Sequence, residues 1–411
     1  MATILAYTSP AVGHLFPLTP LLLELQRRGH RTHLRTLAAR VPQMRDLGFA
    51  AAPIDPRIEA ITMDDHRAKG PVKALGLAAE VFASRGTVDG PDLKRAMDTV
   101  NPDAVIVDTN CWGARTVAEK WGGPWIAFSP YIPALASRGT PPFGPGLAPM
   151  SGPLGALRDA LVGRMVMGAI ENALVPRINA LRGNLGLGPV SGADDFQRRA
   201  PLTLVTTAKP FEYATTDWGS GVLMIGACAW EPPQDVPGWF HRIRKPIALV
   251  TTSSESQNDD ILVRTALAAL KDEPVHVVAT MPAGLSADLE APSNATVVEF
   301  VPHAPVLQRA AVAITHGGMG ATQKALAHGV PVCVVPFGRD QFEVARRVEV
   351  SGAGTRLPRD SLTPSRLRAA VKRAMAMPDG ARRVQAGFVA AGGPSAGADA
   401  VEARLLVRAA A

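Results

Sequence analysis

Short β-rich apolar runs alternate with stretches in which apolar positions recur every three to four residues. Ile4–Thr8 is the first such run. It leads through Ser9-Pro10-Ala11-Val12-Gly13 into His14–Arg28, apolar along one face and followed by Gly29 where a helix C-cap belongs. His30–Leu37 and Phe49–Ile54 read as strands, with a short helix over Val41–Leu47 between them. Further on, Ala104–Asp108 predicts a strand, Trp112–Trp121 a helix and Trp125–Ser129 another strand. Strict alternation of strand and helix implies a parallel sheet with right-handed crossovers.

The pattern breaks between Pro130 and Pro210. Proline and glycine crowd residues 139–155, a helix is expected over Leu157–Leu181, and 139–200 reads as loops and helices inserted on a first domain of residues 1–229. The run Trp230-Glu231-Pro232-Pro233-Gln234-Asp235-Val236-Pro237-Gly238 marks an interdomain linker, 230–240. Alternation then resumes through residues 241–411. Ile247–Thr251, Val275–Thr280 and Thr296–Phe300 read as strands and Asp259–Lys271 as a helix. Val312–Thr315, the turn at His316–Gly318, a helix to His328 and Val332–Val335 form one βαβ unit. The expected fold class is α/β, with two Rossmann-like, doubly wound parallel-sheet domains facing across a cleft. The last helix is free to pack back on the first domain.

Composition narrows the field. The chain has 411 residues, 47% hydrophobic and 19% charged. That is too apolar for disorder. No apolar run approaches the roughly twenty residues of a membrane span, and the N-terminus lacks a basic region of the secretory type. Three widely spaced cysteines, Cys111, Cys228 and Cys333, read as reduced core thiols of a cytoplasmic protein. The net charge of +7 comes from scattered arginine pairs such as Arg27–Arg28 and Arg346–Arg347. No dense basic stripe argues for a nucleic-acid partner, whereas a mildly positive field suits an anionic small substrate.

The strongest chemical signal is Thr315-His316-Gly317-Gly318-Met319-Gly320 ahead of a helix. Glycines at a strand-to-helix turn let backbone N–H groups approach an anion, the helix N-terminus adds positive potential, and a histidine there can donate to a phosphate oxygen. Any tight turn uses glycine, so the motif alone leaves both readings open. It matches neither the dinucleotide nor the Walker pattern. The surrounding order is more specific: Phe300-Val301-Pro302-His303, His316-Gly317-Gly318, Ala325-Leu326, Gly329-Val330-Pro331, then Pro336-Phe337-Gly338-Arg339-Asp340-Gln341. Together with Gly13-His14-xx-Pro17, this closely resembles family 1 glycosyltransferases, in particular the bacterial natural-product and macrolide branch.

That resemblance implies a GT-B fold, with the acceptor on the first domain and the nucleotide sugar on the second. It implies that Phe300 packs on the nucleobase and that Val301 and His303 meet the base edge. His316, with the backbone of Gly317, Gly318, Met319, Gly320 and Ala321, would hold the diphosphate, with Ser253 and Ser254 adding contacts and Gly13 flanking the site. Asp340 and Gln341 would bind sugar hydroxyls. Two departures stand out: Gly320 and Ala321 replace the Asn and Ser of plant members, and Lys324 stands where many members carry a ribose-binding Glu.

His14 follows the first strand at the head of a helix. Alone, a histidine at a helix start is more often a cap or a surface residue. Asp108 ends a strand of the same expected sheet, so both side chains can meet at its carboxyl edge, where the carboxylate orients the imidazole as in the His–Asp part of a triad. The family uses such a pair at these positions. The implied reaction is inverting transfer from an α-linked UDP- or dTDP-sugar to a hydroxyl of a hydrophobic small molecule. No metal or other cofactor is expected, since the chain has no DxD and the helix N-terminus and His316 would neutralise the leaving group. Phe82, Trp112, Phe128, Tyr131 and Phe143 are candidate acceptor contacts. A GT-B nucleotide-sugar epimerase and a non-catalytic auxiliary protein are the alternatives; neither needs a His–Asp pair beside the donor motif.

Overall fold

The computed structural model describes residues 1–63, 68, 70–253, 259–285 and 289–410. Seven strands form the first sheet: β1 Thr3–Tyr7, β2 Arg31–Thr36, β3 Ala50–Pro53, β4 Ala104–Asp108, β5 Trp125–Ser129, β6 Thr203–Val205 and β7 Val222–Met224. Six form the second: β8 Ile247–Thr251, β9 His276–Thr280, β10 Ala295–Val298, β11 Ala310–Thr315, β12 Val332–Val334 and β13 Gly354–Arg356. The strand orders are β3-β2-β1-β4-β5-β6-β7 and β10-β9-β8-β11-β12-β13, and every pairing is parallel. These are two doubly wound Rossmann-like domains in the GT-B arrangement. In each, the chain reverses its direction of winding at the centre, between β1 and β4 in the first and between β8 and β11 in the second. Ligands bind at the carboxyl ends of strands flanking such a point.

Local chemistry explains the elements. The central strands β1, β4, β5 and β8 are buried at every position, as continuous apolar runs between two helical layers must be. The first helix spans Val12–Arg27 and closes at Gly29, whose φ of +87° is the left-handed C-cap conformation that favours glycine. Expected strand 296–300 stops at Val298, where its last partner on β9, Thr280, is reached; Phe300 therefore lies in a loop.

Two long helices flank the first sheet. Pro71–Val100 was not signalled by a clear apolar period, and Gly152–Gly183 is longer at both ends than the expected 157–181. The first packs against the helix Trp112–Trp121 through Gly86, Gly90 and Gly113. A Cβ on Gly113 would meet Gly86 O at well under contact distance, so only glycine permits that approach. The last helix, Gly393–Ala410, crosses back to the first domain. Its Ala398 and Val401 join the core around Leu18, Leu22 and Leu204, and Arg28 pairs with Asp399 and Glu402.

The domains meet through a shared apolar cluster. Ile132, Val205 and Phe211 of the first belong to one buried cluster with Leu326, Val344 and Phe388 of the second, and the Phe211 and Phe388 rings lie 5.8 Å apart. Cys111, Cys228 and Cys333 are all buried and unbridged, and burial pushes the Cys333 thiol up to about 11. No helix among the described residues is long and apolar enough to cross a membrane.

Candidate active site

The first domain's turning point carries the His–Asp pair. Register places Tyr7 of β1 beside Val107 of β4, so the segments that follow both strands emerge side by side. His14, in the first turn of the helix Val12–Arg27, brings Nδ1 to 2.7 Å from Asp108 Oδ2. Asp108 is 1% exposed; its Oδ1 accepts the Asn110 backbone N–H at 2.8 Å. An ionised carboxylate only accepts, so in a neutral His14 bound to one the proton sits on Nδ1 and the lone pair on Nε2, at the opposite side of the ring. Asn110 Nδ2 lies 3.4 Å from that Nε2, and Asn110 Oδ1 accepts from the Tyr131 hydroxyl at 2.7 Å. Asn110 was not singled out from sequence; its one signal is its place two residues after Asp108.

Asp340 faces this group from the second domain. Burial raises its carboxyl above the usual range, countered in part by Arg339 and by His14 across the cleft. Asp340 also opens the helix Gln341–Val350. Gln341 is buried, and its Oε1 accepts the N–H groups of Phe337 and Gly338 at 2.7 and 3.1 Å. Its carbonyl thus shapes the Phe337–Gly338 turn that leads into Asp340.

The second turning point carries the glycine turn. Thr251 at the end of β8 pairs with Thr315 at the end of β11, which brings Ser253 and His316 together. Gly317 has φ +93°, and a Cβ there would press on Val334 and Gln341. A Cβ on Gly318 would strike the His316 ring. Both glycines are thus required for the turn. Gly318 caps the helix Met319–Ala327 with no side chain of its own, and the first-turn N–H groups of Met319, Gly320 and Ala321 have no acceptor within the helix. Gly13 and Gly320 have nothing within 4 Å of a hypothetical Cβ, so their backbones are open to approach.

His316 is buried, with Nδ1 3.8 Å from Asp259 Oδ2; burial lowers its pKa, and Asp259 opposes that shift. Asp259 also accepts the Ser253 N–H at 2.6 Å. Ser254 lies outside the described residues. Met319 and Val301 bury their side chains in the core, leaving only their backbones for a ligand. Phe300 is 47% exposed, a ring held at the surface beside that backbone. His303 Nε2 lies 3.1 Å from Thr280 Oγ1, and burial, reinforced by Lys324, lowers its pKa to about 4.

Lys324 does not extend into solvent. Its Nζ pairs at 3.1 Å with Glu231 of the linker, whose carboxylate also accepts the N–H groups of His303 and Ala304. No sequence signal joins residues 93 positions apart in this way.

Of the five aromatic candidates for the acceptor, one meets the base. The Tyr131 ring lies 5.7 Å from that of His14. Phe128 is wholly buried in the first-domain core, because its place in β5 beside Asp108 turns it into the sheet's packed face. Trp112 is 4% exposed and, with Phe82, packs on Phe196 and Leu181 in a satellite core. Phe143 packs on the interdomain cluster. Phe128 and Trp112 are therefore structural residues, not acceptor contacts.

A His–Asp pair stands at the turning point of one Rossmann-like sheet, and a glycine turn at a helix N-terminus stands at that of the other. Residues 264–401 match the family described as erythromycin biosynthesis protein CIII-like, C-terminal domain. The chain is 31% identical over 393 residues to 4'-demethylrebeccamycin synthase of Lentzea aerocolonigenes, covering 90% of this chain and 91% of that protein. It belongs to the bacterial natural-product glycosyltransferases. Demethyllactenocin mycarosyltransferase of Streptomyces fradiae is 26% identical over 98% of this chain and 87% of its own length. Among solved structures, the glycotransferase of kitacinnamycin superposes with a TM-score of 0.76 at 25% identity, covering 98% of this chain and 99% of that one. This natural-product glycosyltransferase is therefore an enzyme of the GT-B fold, and the epimerase and auxiliary-protein alternatives fall away.

Proposed function

We propose that the enzyme transfers a sugar with inversion from an α-linked nucleoside diphosphate sugar to a hydroxyl of a small natural product, with His14 as general base. The observation that carries this reading is the 2.7 Å contact of His14 Nδ1 with Asp108 Oδ2, which turns Nε2 away from the carboxylate to lie 3.4 Å from Asn110 Nδ2. In the reaction, Nε2 takes the acceptor hydroxyl proton while the hydroxyl oxygen attacks the anomeric carbon. The bond from that carbon to the diphosphate oxygen breaks, and the diphosphate leaves. Asp108 holds the ring and stabilises the imidazolium that forms. The first-turn N–H groups of the helix Met319–Ala327 and His316 stand where the departing charge accumulates. Asp340, opposite His14, is placed to accept from a sugar hydroxyl.

The acceptor class rests on the relatives, which are named for a rebeccamycin-type product and a lactenocin-type acceptor. Incubation with UDP- and dTDP-sugars and a panel of phenolic, indole and macrolide alcohols should give products heavier by one sugar. Absence of such a product across the panel, with nucleotide release no faster than in buffer, would overturn the reading.

Protein groups alone supply the positive counter-charge in this scheme, so activity is expected to persist in excess EDTA. Loss of activity restored by Mg²⁺ or Mn²⁺ would place the diphosphate on a metal instead.

The Lys324–Glu231 pair bears on the nucleotide. A lysine offers donors only, and the Glu231 carboxylate already accepts from Lys324 and two backbone N–H groups. Each side chain is thus already engaged by the other, away from the ribose 2′-hydroxyl that distinguishes UDP from dTDP. The dTDP-sugar should accordingly be used at least as well as the UDP-sugar, one hydroxyl hydrogen bond being worth about 0.5–1.5 kcal/mol. Comparing kcat/KM for dTDP-glucose and UDP-glucose checks this, and a more than roughly tenfold preference for UDP would contradict it. Lys324→Glu combined with Glu231→Gln should move the ratio toward UDP.

A further inference from the structure

We propose that Asn110 is a positioning residue for the base and serves both protonation states of His14 by turning its side-chain amide. The inference rests on His14 being the general base. Asn110 is bound at three points. Its backbone N–H donates to Asp108 Oδ1 at 2.8 Å, its Oδ1 accepts from the Tyr131 hydroxyl at 2.7 Å, and its Nδ2 faces His14 Nε2 at 3.4 Å. The Tyr131 hydroxyl is in turn 3.4 Å from Thr109 Oγ1. One residue therefore touches both members of the dyad.

In the resting state the amide N–H points at the lone pair of Nε2. That orientation favours the neutral imidazole and keeps the ring from rotating, yet at 3.4 Å the contact is longer than an ordinary hydrogen bond. An acceptor hydroxyl can displace it at small cost. Once the hydroxyl proton reaches Nε2, two donors face each other, and the same contact becomes repulsive. Turning the amide by half a rotation brings Oδ1 to the new Nε2–H and Nδ2 to the Tyr131 oxygen. A phenol hydroxyl both donates and accepts, so Tyr131 then accepts from Asn110 and can donate to Thr109. The number of hydrogen bonds is conserved in both orientations, and no proton passes through the amide.

Among the described residues, the charged and titratable groups around His14 include Asp108 beside it, Asp340 with Arg339 across the cleft and Tyr131 at its ring edge, with the buried Cys111 and Arg115 beyond Asp108. All of these residues stay in place in an Asn110 variant, but Tyr131 loses its acceptor Oδ1 when the amide is removed, so Tyr131→Phe is the control for that loss.

The test is the pH dependence of kcat/KM in the wild type, Asn110→Asp, Asn110→Ala, Tyr131→Phe and His14→Ala, with dTDP affinity measured in parallel as a check that the donor domain is intact. Asn110→Asp places a permanent acceptor at Nε2 and should move the acid limb upward by about one pH unit or more. Asn110→Ala should lower kcat roughly three- to tenfold with KM for the donor nearly unchanged. Tyr131→Phe should lower it by less, because one anchor of the amide is lost and the amide itself remains. An acid limb in Asn110→Asp within about 0.2 unit of the wild type, beside an inactive His14→Ala, would overturn the positioning role and leave the base intact. An active His14→Ala would instead overturn the base assignment on which this inference stands.

Discussion

Replacing His14 with alanine is expected to lower glycoside formation by about 10²–10⁴-fold, the usual cost of removing a general base. Nucleotide affinity should stay near the wild-type level, because the groups proposed to hold the diphosphate, His316 and the helix Met319–Ala327, lie on the other domain. Asp108→Asn should also lose activity, though less completely. The imidazole remains, but an asparagine in place of the Oδ2 that His14 Nδ1 contacts at 2.7 Å can present an N–H and force the wrong tautomer. The measurement is single-substrate turnover at saturating donor together with a nucleotide titration of each variant. Turnover of His14→Ala at the wild-type rate with an unactivated alcohol would remove the base from the scheme, and full activity in Asp108→Asn would remove the dyad.

Arg347→Ala should produce the largest loss of stability. The guanidinium is buried between two carboxylates, 2.8 Å from Glu212 Oε2 of the first domain and 2.7 Å from Glu343 Oε2 on its own helix, and it lies 4.3 Å over the Tyr213 ring. Glu343 Oε1 accepts the N–H groups of Gly144 and Gly146, so the same cluster holds the 139–150 segment of the first domain against the second. Removing the cation strands two buried negative charges, which costs about 3–5 kcal/mol where a buried pair is broken from one side. Denaturant unfolding should show a lower midpoint for the variant. Arg347→Met combined with Glu212→Gln and Glu343→Gln should recover part of the loss, since the stranded charges disappear with their partner. A single variant within about 1 kcal/mol of the wild type would mean that water reaches the cluster and the domains are held by the apolar contacts alone.

The clamp also adjoins the candidate site. Glu343 lies three residues beyond Asp340 on the helix Gln341–Val350, so the contact that fixes the domains also fixes the residue opposite His14. One helix thus carries both part of the domain docking and the residue that faces His14.

Much of this molecule was legible along the chain. The alternation of apolar strands and one-faced helices specified two parallel sheets, since a buried parallel strand must be apolar on both faces and a covering helix on one. The glycine turn at 316–318 was readable because a positive φ at Gly317 and a ring packed on Gly318 admit no side chain. His14 and Asp108 were visible as polar residues closely following apolar strands. The helix Pro71–Val100 was not, because its contact with the helix Trp112–Trp121 uses glycines and a buried Asp89 that caps Ala114 N–H at 2.7 Å, none of which gives an apolar period. Phe128 and Trp112 were misread because an aromatic ring looks the same in sequence whether it lines a cleft or fills a core.

By itself, then, the sequence determined the layers, the two glycine-bearing turning points and the residue types that could act there. These follow from local backbone preference and from the period of burial, which neighbouring residues share. Only the tertiary structure decided which of those residues meet. The pairing of His14 with Asp108 across 94 positions, of Lys324 with Glu231 across 93, and of Arg347 with Glu212 across 135 depends on strand order and domain docking. A buried charge finds its partner through the packing of the whole chain, and nothing in its own neighbourhood records which partner that is.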